Sequence, residues 1–313
     1  MLDNHIYLEK VDVSFATRAG VVHAVNRVDV TFYSGQITGM IGETGSGKSV
    51  LGMSVLRLMA ANSRISGQIR YRGRDLLQLS EQELNQVRGK MIAFVPQNPD
   101  TALDPAMKTG KQVIEGYCHH HGKSASDGKA HGLRLLQSYS FHDPQKVFNS
   151  YPFQLSGGMR QRALCAIGTA LSPEWVIADE PTKGLDAVIR QQVVELFHGL
   201  KTANSSIILI SHDLRLAQKL CDDVIVLYAG TILEQGPAAK LFGEPLHPYT
   251  RGLLDAQPHR KLLPLPGMPP SLIQLPAGCK FHPRCPEEKA VCRLEEPVLR
   301  EADGRLVRCW KYA

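Results

Sequence analysis

The residues with the clearest chemistry form one short stretch, Gly42-Glu43-Thr44-Gly45-Ser46-Gly47-Lys48-Ser49. Its spacing fits G-x-x-x-x-G-K-[ST], in which Gly42, Gly45, Ser46 and Gly47 let backbone N–H groups turn inward onto phosphate oxygens. A helix starting there adds its positive end. Lys48 would neutralise the outer phosphates of ATP, and Ser49 would hold Mg²⁺. The plainer reading is a glycine-rich turn that matches by chance. Context argues against it, because an apolar run, Gln36 to Ile41, leads into the loop, and Leu51, Val55, Leu58 and Met59 follow at helical spacing.

Two adjacent acids, Asp179 and Glu180, follow the apolar run Trp175-Val176-Ile177-Ala178. A buried parallel strand ending in carboxylates places them at the sheet edge where α/β folds bind ligands. Asp179 could then reach Mg²⁺, directly or through water, and Glu180 could activate the attacking water. Seen alone, such acids are more often solvated loop charges.

These groups need a scaffold, and the rest of the chain supplies one. Tyr7 to Phe15 and His23 to Phe32 alternate with period two, as antiparallel strands do. About 100 to 165 lacks strand candidates and contains helix-like stretches such as Leu133 to Tyr139, a helical insertion. Ile207 to Ile210 reads as a second buried strand, and Val224 to Leu227 with Thr231 to Glu234 as a hairpin turning at Ala229-Gly230. A proline-rich stretch from about 258 marks a boundary, giving a domain over 1–257 and an extension over 258–313. No internal repeat is visible.

Composition sets the limits. Of 313 residues, 43% are hydrophobic and 21% charged, too apolar for a disordered chain. A net charge of +6 without a basic block does not favour nucleic acid as a partner. The start of the chain reads as a mature cytosolic one, lacking the basic and apolar segments of a secretory signal. Five prolines between Lys261 and Lys280 rule out a spanning helix in the longest uncharged stretch.

Leu155-Ser156-Gly157-Gly158-Met159-Arg160-Gln161-Arg162 narrows the reading. A serine hydroxyl and glycine N–H groups opening a helix make a second anion-binding surface. With it the chain resembles the ATP-binding subunits of ABC transporters, whose signature is usually LSGGQ; Met159 replaces the glutamine. The resemblance implies an α/β P-loop (RecA-like) nucleotide-binding domain with an antiparallel β subdomain. It also implies that Ser156, Gly157 and Gly158 close on ATP held by a partner subunit. Phe15 matches the aromatic that stacks on adenine, and Gln97 the glutamine that contacts Mg²⁺ and water. Asp186, in Gly184-Leu185-Asp186, matches a loop that communicates across the dimer, and His212 the histidine at the terminal phosphate. Each has a plainer reading: strand core for Phe15, a capped helix start for His212. Lys183 beside the dimer loop is unusual.

Leu246-His247-Pro248-Tyr249-Thr250-Arg251-Gly252-Leu253-Leu254 and Gly278-Cys279-Lys280-Phe281-His282-Pro283-Arg284-Cys285-Pro286 are similar to the tail of the dipeptide, oligopeptide and nickel importer group. Cys279, Cys285, Cys292 and Cys309 follow a C-x5-C-x6-C-x16-C pattern, suited to an iron–sulfur cluster or structural Zn²⁺, with unliganded thiols the third option. The resemblance favours a [4Fe–4S] cluster. His119-His120-His121, read as a solvated polar loop, is an alternative pointer to nickel. The implied machine is an importer of peptides, or of nickel or a metal chelate. Its partners would be two membrane permease subunits, a second ATP-binding subunit and an extracytoplasmic binding protein, with this chain peripheral on the cytoplasmic face. A soluble ABC ATPase acting on nucleic acid or the ribosome is the rival; it would usually carry a long coiled coil or two nucleotide domains.

Overall fold

A computed structural model describes residues 3–202, 204–258 and 260–313. They form two compact units, one built from the stretches up to Gln78 and from Leu209 onward, the other from Leu79 to Ile208.

The first unit begins with long strands β1 (Ile6–Thr17) and β2 (Gly20–Phe32), joined antiparallel by a tight turn. Strand β3 (Ile37–Ile41) is buried throughout and runs into the glycine loop. After it, β4 (Ser63–Tyr71) and β5 (Arg74–Asp75) complete an antiparallel sheet of order β2-β1-β4-β5. Alternating burial along β1 and β2 explains their period-two signal. The helix after the loop, Lys48–Val55, is shorter than its apolar spacing suggested. Arg57 adopts a left-handed φ of 53° and Leu58 N–H turns back to Met53 O, so Leu58 and Met59 lie beyond it.

The second unit holds the helices of the expected insertion, from Pro99–Ala102 to Gly157–Thr169. They are flanked by β6 (Ile92–Val95) and β7 (Trp175–Asp179), which pair in parallel. The β8 segment (Ser206–Ile210) leads back into the first unit. His119 to His121 end the helix Thr109–His121 instead of lying in a loop. Imidazoles there meet the negative end of the helix dipole.

Returning to the first unit, β9 (Asp223–Tyr228) pairs parallel with β3 and antiparallel with β10 (Thr231–Pro237). Their connecting residues, Ala229 at φ 46° and Gly230 at φ 77°, are both left-handed, as a two-residue hairpin turn requires. The last strands, β11 (Arg300–Ala302) and β12 (Arg305–Val307), extend this sheet, with β12 beside β10. The tail shares the unit's core: Phe281 is fully buried, its ring edge-on to Tyr228 at 5.3 Å and tilted against Tyr249 at 5.3 Å.

At the start of β9, burial raises the Asp223 carboxyl to about 6, so the folded chain holds that proton more tightly than the unfolded chain does. Its contribution to stability is full below the unfolded value near 4 and is lost as pH rises through about 6. Asp223→Asn should therefore melt higher than wild type at pH 8, with the gap closing as pH falls toward 4; thermal melts across that range check it.

Candidate active site

The loop Gly42–Gly47 is shaped by groups outside it. Gly42 (φ 148°) and Gly47 (φ 100°) are packed against backbone, for a Cβ there would stand 2.2 Å from Leu227 O and 2.3 Å from Ala24 O. Gly45 (φ 80°) differs: among the described residues nothing lies within 4 Å of where its Cβ would be. Two glycines are thus demanded by close approach and one by conformation alone. The β9–β10 turn braces the far side, Gly230 N–H donating to Ser46 O at 3.0 Å while Asn26 N–H donates to Gly230 O at 2.8 Å.

Lys48 is buried, its Nζ donating to Gly42 O (2.9 Å), Glu43 O (2.8 Å) and Ser46 Oγ (3.2 Å). The ammonium therefore lies along the inside of the loop, at the place a polyphosphate would need a cation. Ser46 is buried and Ser49 half-buried at the first turn of the helix. Loop glycines, ammonium, serine hydroxyl and helix start form a donor set that fits Mg²⁺–ATP. Phe15 lies near the end of β1, half-buried. His212 is exposed just past β8; its neighbour Ser211 donates N–H to Met40 O at 3.1 Å, two residues before Gly42.

In the second unit, Asp179 ends β7 and Glu180 follows it, 5% and 8% exposed. Glu180 holds a left-handed φ of 48°, a conformation that costs a non-glycine residue on the order of 1 kcal/mol and is concentrated at functional sites. Gln97 is half-buried just beyond β6. Ser156 caps the helix Gly157–Thr169, its Oγ accepting from Met159 N–H at 3.3 Å. Ser156 and Gly157 are exposed and Gly158 half-buried, while Leu155 anchors the segment in the core. Asp186 accepts from Val188 N–H (3.0 Å) and Ile189 N–H (2.9 Å), which starts the helix Ala187–Thr202. The geometry gives Asp186 a capping role that sequence reasoning did not assign.

The four tail thiols share one cavity of about 150 Å³, lined also by His247, Phe281 and Trp310. Burial pushes Cys279 and Cys285 up to about 11 and raises Cys309 as well. Cys279 N–H donates to Cys292 O at 2.9 Å, tying two of the cysteine segments together. Among the described residues, no three or more His, Cys, Asp or Glu gather closely enough to hold a single metal ion. That includes the histidines at 119–121; nearby, His131 stacks on Tyr117 at 4.0 Å.

Sequence reasoning missed Glu43, Tyr249 and Arg284. Arg284 forks onto the Glu43 carboxylate, Nη1 to Oε2 at 2.7 Å and Nη2 to Oε1 at 3.0 Å, and the Tyr249 hydroxyl accepts from Glu43 N–H at 2.8 Å. The only sequence sign was that Tyr249 and Arg284 sit inside the two tail stretches already singled out.

Comparison with known proteins decides the family. A model of ABC transporters matches residues 25–183, and one of the C-terminal region of oligopeptide/dipeptide transporters matches 233–292. The chain is 40% identical over 305 residues to the oligopeptide transport ATP-binding protein OppD of Salmonella typhimurium, covering 96% of this chain and 91% of that protein. The chain belongs to the ABC transporter ATP-binding family.

A putative peptide import ATP-binding protein of Brucella abortus is 41% identical over 309 residues, covering 96% of this chain and 93% of that one. The fold resembles the dimeric post-hydrolysis structure of the ATP-binding cassette MJ0796 bound to ADP and Pi, with a TM-score of 0.68 at 22% identity over 74% of this chain and 98% of that chain. The ABC cassette fold follows from this likeness, and ATP hydrolysis coupled to transport from the family. Among the described residues no helix is long and apolar enough to cross a membrane.

The two kinds of loop glycine should separate on substitution. Gly47→Ala, with its Cβ driven into Ala24 O, should lose roughly 3 kcal/mol or more of stability or fail to fold. Gly45→Ala should keep the fold at a cost of about 1–2 kcal/mol; urea denaturation measures both.

Proposed function

We propose that this ABC ATPase powers a peptide importer, and that its site residues act as their positions in the family motifs imply. The observation that carries the cargo assignment is the match of residues 233–292 to the oligopeptide/dipeptide transporter C-terminal region, in the same chain as the phosphate loop. The names of the similar proteins, oligopeptide transport and peptide import, support peptides over nickel or a metal chelate.

On this reading Lys48 and the loop amides bind and orient the triphosphate, Ser49, Gln97 and Asp179 hold Mg²⁺, and Phe15 stacks on the base. Glu180 accepts the proton of the attacking water, and His212 hydrogen-bonds the terminal phosphate. Mg²⁺ would supply charge neutralisation as negative charge builds on the transferring phosphoryl group. Exposure of Ser156 and Gly157 supports their use by a second ATP-binding subunit, the same chain or a related one, with Asp186 serving that interface beside its capping role. The assembly would sit on the cytoplasmic face of the inner membrane, joined to two permease subunits and served by an extracytoplasmic binding protein.

For the tail, the shared cavity supports a [4Fe–4S] cluster held by Cys279, Cys285, Cys292 and Cys309. Structural zinc is the alternative, and four thiols lining one cavity are the observation behind the cluster. Its role would be structural, stapling the tail. Anaerobically purified protein should contain iron and acid-labile sulfide in equal amounts; stoichiometric zinc without iron would overturn the assignment.

Glu180→Gln should lower hydrolysis about 10²- to 10⁴-fold while ATP still binds, as loss of a general base does. Radiolabelled ATP hydrolysis beside equilibrium nucleotide binding checks this. For the importer, the chain should co-purify with permease subunits from detergent and drive ATP-dependent uptake of a labelled peptide. Recovery with ribosomes or DNA instead would sink the proposal.

A further inference from the structure

Arg284 joins the tail to the phosphate loop. It is 6% exposed, and two of its nitrogens reach that loop at Glu43. Besides the fork onto Glu43, its Nε donates to Pro266 O at 2.7 Å and its Nη1 to the Tyr228 hydroxyl at 3.3 Å. The guanidinium also lies over the Tyr228 ring at 5.7 Å and near that of Phe281 at 5.9 Å. The planar fork is thus held in one orientation before it meets the carboxylate.

Glu43 is gripped along its whole length. Its side chain is held by Arg284 and its N–H by Tyr249, while its carbonyl accepts from Ser46 N–H (3.2 Å) and Lys48 Nζ. Moving Glu43 would therefore move the loop and the lysine together. Glu43 also brings a negative charge to a loop built for phosphates. Left uncompensated, that carboxylate would repel the ligand and compete for Lys48.

We infer that Arg284 is a positioning residue for ATP binding, acting only through Glu43: it clamps the loop and cancels the carboxylate that would oppose a triphosphate. Arg284 touches no reacting atom, and its effect falls on nucleotide affinity more than on turnover. The inference rests on the ATP-binding reading of the loop, and Lys48→Ala tests that reading separately.

The test measures ATP affinity of the purified full chain with a fluorescent nucleotide, and KM and kcat in the assembled transporter, for Arg284→Gln, Glu43→Gln and the double variant. Thermal melts confirm folding. Arg284→Gln should weaken ATP binding about fivefold or more and raise KM out of proportion to any fall in kcat. In the Glu43→Gln background, the same substitution should have no further effect. Arg284→Lys, which keeps the charge and loses the fork, should fall between, and it replaces Arg284→Gln if that variant does not fold. Wild-type affinity in a folded Arg284→Gln, or an undiminished Arg284 penalty once Glu43 is gone, would overturn the inference. If Lys48→Ala binds ATP like wild type, the loop reading itself fails, whatever Arg284 does.

Discussion

A loop that binds phosphate with its backbone has few amides left to hold itself together; here Ser46 N–H to Glu43 O is one such internal bond. The amides that face the ligand are lost to internal hydrogen bonding, so the loop's shape must be imposed from outside. Here the imposition comes from three directions. Strand β2 meets Gly47 through Ala24, the β9–β10 turn meets Ser46 through Gly230, and Tyr249 with Arg284 holds Glu43. The arrangement of the first unit follows from that need. Its hairpin turn and tail converge on one loop.

The second unit meets a related demand by a different route. Glu180 sits in a left-handed conformation and Ser156 opens a helix whose first glycine is exposed. Neither feature is what packing alone would select. A left-handed acid just past a strand and a capped helix start on glycine both depart from regular geometry at the edge of an otherwise ordinary core, in which Leu155, Val176 and Ile177 are buried.

Much of this was legible because it is local. Loop, signature and acidic strand end each carry their chemistry within a few consecutive residues, and the strands that present them have clear periodicity. What stayed hidden is non-local or depends on backbone geometry. Nothing in the spacing of Glu43 and Arg284, 241 residues apart, announces their pairing. The left-handed Arg57 stopped a helix whose apolar pattern ran on through Leu58 and Met59. His119 to His121 read as a loop because polar residues crowd there, yet Val113 and Ile114 bury enough of the preceding turns to carry the helix through them. Asp186 has two readings, and its hydrogen bonds to Val188 and Ile189 could be seen only in three dimensions.

The Glu43–Arg284 contact also bears on how the protein is made. A ribosome releases the phosphate loop 241 residues before Arg284, and through that stretch of translation the loop lacks its clamp. The nascent ATPase is therefore immature until its tail has folded back. A copy truncated before residue 284 would carry every nucleotide motif and yet lack the part that completes the first of them.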